Sequence, residues 1–263
     1  MRMGQMFTKV TTQYLPPLLL ILVLLVGWEI AGITGYMPKY IAPAPTIILQ
    51  RLVDDYPILW NHTLRSLEEV MIGYAAGIIL GFLIGLAVVY SPLMERALYP
   101  LVVASQTVPH IALAPVLVLW FGFGITSKVI IVTQVTFFPI VIATVDGMRS
   151  IDPELLLFSR SLSASEWQIF RKIRLQASLP YFFTGIRVSA PYAIIAAIIG
   201  EWIGANEGLG ALMLRAQHML MTDLMFATVV VMSLVGIVMF LAVGLLQRAF
   251  IPWYQAKLER MRQ

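Results

Sequence analysis

From Leu224 to Leu246 the chain carries no Asp, Glu, Lys or Arg, and similar charge-free runs cover 70–90, 97–124 and 129–145. No other feature limits the possible folds as much. About 20 successive apolar residues cross the hydrocarbon core of a bilayer as a helix, which satisfies its own backbone hydrogen bonds there. Two less regular runs complete the set: YLPPLLLILVLLVGW near the start, and 188–200, which must borrow from its flanks. The expectation is an all-α integral membrane protein with six transmembrane helices, near 15–35, 70–90, 97–122, 128–146, 181–202 and 224–247, in one membrane domain spanning 1–263. With 59% hydrophobic and 12% charged residues, the composition lies far from that of a soluble domain.

The basic start MRMGQMFTKVTTQ and the apolar run behind it have the order of a secretory signal, but no small-residue cleavage site follows. The run is therefore read as a retained first span. Six spans place both termini on one side, and twelve of the 18 basic residues fall there, Arg2, Lys9, Arg149, Arg160, Arg171, Lys172, Arg174 and Lys257 among them. Five fall on the other side, and Arg187 lies near a span end. Cytoplasmic loops hold the excess of Lys and Arg, so both termini are expected in the cytoplasm. The long loop from about 37 to 69 is then external, and after its AlaProAlaPro punctuation it should hold a short amphipathic helix at the surface. The absence of cysteine excludes disulfides, thiolate nucleophiles and Cys-based metal sites.

Several features stand out inside the spans. Gly73, Gly77, Gly81 and Gly85 recur every four residues and make one smooth ridge, suited to close approach of another helix within the chain or, less readily, of a second copy. Pro109, Pro115, Pro139 and Pro191 each remove a backbone hydrogen bond and are expected to bend or break their helices. Polar side chains cluster near two of these prolines: Gln106, Thr107 and His110, then Gln134 and Thr136. Singly, each is accounted for by an interhelical hydrogen bond. Together with Glu201 at the end of the fifth span, Gln106, His110 and Gln134 sketch a polar translocation path. Glu29, beside Trp28, is expected at the membrane interface.

One segment, 150–180, resists the pattern. Asp152-Pro153-Glu154 is a helix start, since Asp caps free amides, Pro fits the first turn and Glu suits the positive helix end. That helix should run to about Leu162, and Ser163 or Ser165 should cap a second one carrying Trp167, Phe170, Ile173 and Arg174. Leu155, Leu156, Phe158 and Leu162 are too apolar for a solvated loop, yet the stretch is too charged to cross a bilayer. Something must cover that face: the chain's own spans, the lipid surface or a partner's groove.

The stretch resembles the cytoplasmic coupling loop of ABC importer permeases, in the branch for nitrate, sulfonate, taurine and the pyrimidine precursor of thiamine. The likeness extends over nearly the whole chain: DPELL, LSAS and LP in the loop, PAPT after the first span, VPHIALAPVLVLWFGFG at 108–124 and GEWIGANEGLGALM at 200–213. The resemblance implies the type I importer permease fold with a coupling helix, working as a homodimer in the bacterial inner membrane. It further implies two cytoplasmic ATPase subunits that hold ATP and Mg, an extracytoplasmic binding protein, and no cofactor on this chain. Asp152, Glu154, Leu155, Leu156, Phe158, Arg160, Leu162 and Ser163 would form the ATPase-docking element, moved as a rigid lever when the ATPases close. The family's usual Glu-Ala-Ala is replaced by Leu157, Phe158 and Ser159, its following Gly by Ser163, and a common Pro by Gln176. Loss of the Gly disfavours a left-handed turn residue between the two helices.

A membrane-embedded enzyme is the competing class, and a passive channel a third. His62, His110 and His218 are scattered, and neither HExxH nor GxSxG occurs. No GxxxxGK[ST] occurs either, so ATP hydrolysis is expected on a partner and not on this chain. The segment 208–227 most resembles permeases for the thiamine pyrimidine precursor, hydroxymethylpyrimidine or a relative, with sulfonate, taurine, nitrate and riboflavin as alternatives.

Overall fold

The computed structural model describes residues 2–254, with side chains from Leu15 onward. Lys257 and the side chains of Arg2 and Lys9, assigned above to the side of the termini, lie outside the described residues, as do Arg260 and Arg262, which count among the same twelve. The described residues form helices and no strands: α1 (Arg2–Ile33), α2 (Pro45–Asp54), α3 (Tyr56–Tyr90), α4 (Pro92–Ser105), α5 (His110–Phe121), α6 (Ile125–Arg149), α7 (Pro153–Ser161), α8 (Glu166–Ile169), α9 (Leu175–Glu201), α10 (Leu209–His218) and α11 (Thr222–Phe250). Five helices are long and apolar enough to cross a membrane, and a sixth span arises if α4 and α5 are taken together.

Two spans differ in helical extent from a single straight helix over the expected bounds. The third span, expected over 97–122 with Pro109 bending or breaking it, is broken between Ser105 and His110 with a bend of 104°. Pro109 cannot donate to a helix there, and Gln106 and Thr107 close the first helix with local turn bonds. The helix that carries the fifth span begins well before 181. A five-residue π-helical turn, Phe170–Arg174, joins α8 to α9, so one rod of 36 residues runs from Glu166 to Glu201. At 1.5 Å per residue it is about 54 Å long, well beyond the roughly 30 Å of a hydrocarbon core. Of the four prolines expected to kink, only Pro109 stands at a break. Pro115, Pro139 and Pro191 are carried inside continuous helices.

The described residues divide into two compact units, 2–60 with 212–230 and 61–211 with 231–254. In the first, α2 is the amphipathic outer helix expected from the sequence. Ala44 at its N-cap has no capping side chain, and Glu29 of α1 takes over that role. Its carboxylate accepts from the Thr46 N–H at 3.0 Å and from the Thr46 hydroxyl at 2.6 Å. Glu29 is thus a cap for α2 and not only an interfacial residue. Close approach of the chain requires Gly32, because a Cβ there would stand 2.8 Å from Ala44 Cβ. Arg51 pairs with Asp55 at 2.6 Å and approaches Asp223 at 3.7 Å.

The second unit is built on α6. The glycine ridge of α3 lies against it, and hypothetical Cβ atoms at Gly73, Gly77, Gly81 and Gly85 would strike Val132, Thr136, Ile140 and Thr144 in turn, none farther than 2.9 Å. Both sets step by four residues, so two matching rows interlock. On its other side α6 packs on α9. Gly147 faces Ser178 and Tyr181, Gly185 faces Ala143 and the Pro139 carbonyl, and the Tyr74 hydroxyl donates to the Ile186 carbonyl. Val88, Val102, Val141 and Val145 form a buried core where α3, α4 and α6 meet.

Candidate functional site

Three places in the second unit collect the residues that carry chemistry. The first is the segment after α6. Asp152 accepts from the Glu154 N–H at 2.9 Å and Pro153 occupies the first turn, as the sequence dictates. Leu155, Phe158 and Leu162, spaced i, i+3 and i+7, make an exposed stripe. Leu156 differs: it is half-buried, on the same side as buried Ser159, whereas Leu157 is 64% exposed and joins the outward surface. A strict count of apolar residues cannot separate those two leucines, since only the rotational phase of the helix does so.

The turn after α7 holds the left-handed residue that the loss of Gly was expected to disfavour. Ser163 has φ +61°. The Ser163 N–H donates to the Arg160 carbonyl at 2.9 Å and the Ala164 N–H to the Ser159 carbonyl at 3.2 Å, so two backbone bonds hold the strained residue. Arg160 and Glu166 pair across the turn at 2.9 Å. The restart is a capping box: the Gln168 N–H donates to Ser165 Oγ at 3.3 Å, and the Ser165 N–H to Gln168 Oε1 at 2.8 Å. Beside this element, Leu86, Ala87, Tyr90, Glu166, Trp167 and Phe170 line an apolar groove of about 490 Å³.

The second place is a cavity of about 400 Å³ among α4, α5, α6 and α9. Gln106, His110 and Gln134, expected from separate spans to share a path, line it together. The α4–α5 break delivers the first two, since Gln106 ends α4 and His110 starts α5. Ser105 and Tyr192 are further lining residues that sequence reasoning missed, and no charge or motif marks them. Thr136 lies elsewhere, fully buried under Gly77, and Thr107 bonds back to the Ala104 carbonyl at 2.8 Å.

Glu201 does not join that cavity. It is 1% exposed in a third cluster, with Oε1 accepting from the Ser66 hydroxyl at 2.5 Å and Oε2 from the Gly210 N–H at 2.5 Å. Ser66 Oγ accepts in turn from the Leu209 N–H at 2.8 Å, and His62 Nδ1 lies 3.0 Å from the Gly208 nitrogen. One carboxylate thereby fastens α3, the end of α9 and the start of α10. Gly208 is at φ +109°, and a Cβ there would fall 2.3 Å from the Glu201 carboxyl carbon, so only glycine fits. Nearby, buried Lys128 pairs with Glu69 at 2.5 Å. Ser66 and Glu69 share a face of α3 at i, i+3 spacing, a signal available in the sequence but indistinguishable there from a solvated face. Among the described residues, no group of three His, Asp or Glu could hold a metal ion.

Residues 77–255 match the family described as binding-protein-dependent transport system inner membrane component. The chain is 40% identical to the formylaminopyrimidine transport permease protein of Halalkalibacterium halodurans, over 93% of this chain and 98% of that one. It is 35% identical to the riboflavin transport system permease protein of Chloroflexus aurantiacus, over 89% of this chain and 88% of the relative. A solved methionine ABC transporter in inward-facing conformations superposes with a TM-score of 0.65 at 19% identity, covering 74% of this chain and 97% of that one. At that identity the likeness is one of fold.

Proposed function

Since the chain belongs to the family of binding-protein-dependent inner membrane components, and is therefore the non-catalytic, multi-pass permease subunit of an ABC importer, we propose how its parts divide the work. Two copies assemble, each with its α7 seated on a cytoplasmic ATPase that holds ATP and Mg, while a binding protein delivers solute from the other side. Both termini are cytoplasmic. The observation that carries the docking assignment is the exposed stripe of Leu155, Phe158 and Leu162, with Leu157 beside it, on a helix too short and too polar at its ends to enter lipid. Burying such a stripe on a partner removes several leucine-sized surfaces from water, each contributing about 1.5–3 kcal/mol when fully covered.

The solute is a pyrimidine precursor of thiamine, hydroxymethylpyrimidine or a formylamino relative. Support comes from the 40% identity to a formylaminopyrimidine permease over nearly the full length of both chains. The path runs past Gln106, His110 and Gln134. The test is reconstitution of this chain with its ATPase and binding protein in proteoliposomes, measuring ATP-dependent uptake of labelled hydroxymethylpyrimidine. Leu157→Ser with Phe158→Ser should abolish both uptake and ATPase copurification. Uptake that survives ATP depletion would overturn the importer reading.

A further inference from the structure

We infer that the cavity of α4, α5, α6 and α9 is itself a selectivity element, which admits an uncharged, flat, hydrogen-bonding ring and rejects organic anions. The inference rests on the permease reading above and extends it, since the binding protein is otherwise sufficient to choose the solute. Four observations combine. The volume, about 400 Å³, is of the size that holds a small organic molecule. Its polar lining is neutral: two carboxamides (Gln106 and Gln134), the Ser105 hydroxyl, the Tyr192 ring and the His110 imidazole, with no lysine or arginine among the lining residues.

His110 Nδ1 is buried and has no hydrogen-bond partner among the described residues. A polar atom left so at membrane depth is costly unless water or a ligand group meets it, and a ligand that displaces water here must replace that bond. The remaining walls are apolar, Phe138, Val188 and Ile195 among them, and suit the faces of an uncharged ring. Each carboxamide offers both donor and acceptor, the pairing that an aminopyrimidine edge presents.

A sulfonate in the same space would lose its water and find no countercharge. The uncapped start of α5 at His110 supplies only about half an elementary charge, which does not balance a full one. Riboflavin and pyrimidines thus fall on one side of the sieve, and sulfonates and nitrate on the other.

The experiment uses the permease–ATPase complex in nanodiscs without binding protein, so that any discrimination belongs to the membrane subunit. Binding of radiolabelled hydroxymethylpyrimidine and of ethanesulfonate is measured by equilibrium methods for wild type, His110→Ala, Gln134→Leu and Gln134→Lys. Wild type should bind the pyrimidine at least tenfold better than the sulfonate. His110→Ala and Gln134→Leu should each weaken pyrimidine binding at least fivefold, and Gln134→Lys should shift the preference toward ethanesulfonate. ATPase copurification with each variant reports that it has folded and assembled. Equal binding of both probes by wild type, or pyrimidine binding unaffected by all three variants, overturns the inference while leaving the importer reading intact. Failure of that reading has a different signature, a chain that assembles with no ATPase.

Discussion

Thr136 and Gly77 illustrate how far single atoms decide this structure. A Cβ at Gly77 would lie 2.2 Å from Thr136 Oγ1, on a side chain with no exposed surface. Gly77→Ala should therefore cost about 1–3 kcal/mol, the usual penalty for overpacking, and lower the thermal midpoint of the purified protein. Thr136→Ala removes the atom in the way, so the double variant should recover at least about 1 kcal/mol relative to additivity in a double-mutant cycle. Ser163 is a second such position. Its left-handed backbone costs on the order of 1 kcal/mol for a residue with a Cβ. Ser163→Gly should slow hydrogen exchange at the amides of Ser163 and Ala164, while Ser163→Val, β-branched at φ +61°, should speed it and weaken ATPase copurification. The sequence showed that a turn belongs there but not that serine would accept the strain. Two backbone hydrogen bonds from neighbouring turns, at Ser163 and Ala164, hold it.

At the scale of elements, hydropathy located every long helix, and its errors have one cause. It records where lipid ends and not where a helix ends or turns. Arg171, Lys172 and Arg174 mark the edge of the membrane at the fifth span, yet the backbone continues through them as a single rod. In the third span nothing charged separates Ser105 from His110, and the chain still turns by 104°, because Pro109 limits the backbone without altering polarity. The convergence of Gln106, His110 and Gln134 was legible as a set of polar residues near prolines. The departure of Glu201 from that set was not, since its partners, Ser66 and the Gly210 amide, come from distant segments. That cluster joins three helices, so its loss should be felt by an element. Ser66→Ala removes a donor to Glu201 and an acceptor for Leu209, and should cost about 1–3 kcal/mol. Limited proteolysis between 202 and 210 should be faster in that variant, and unchanged cleavage there would show that the carboxylate holds nothing in place.

On the scale of the whole molecule, the absence of cysteine makes topology directly measurable, because a single introduced thiol reacts without background. Asp54→Cys in α2 should be labelled by an impermeant maleimide on intact cells, and Ser161→Cys in α7 only after the membrane is opened. The reverse pattern would invert the orientation drawn from the distribution of Lys and Arg.

The two interlocked rows on α3 and α6 carry a consequence for movement during transport. Val132, Thr136, Ile140 and Thr144 sit in notches spaced four residues apart, so neither helix can creep along the other by a fraction of a step. The smallest permitted slip is a full notch, about 6 Å of axial travel. Such a contact behaves like a closed zip fastener: stiff against small loads and all-or-none in failure. Motion in this unit should therefore concentrate where the backbone has no such teeth, and the bend between α4 and α5 beside Gln106 and His110 is such a place.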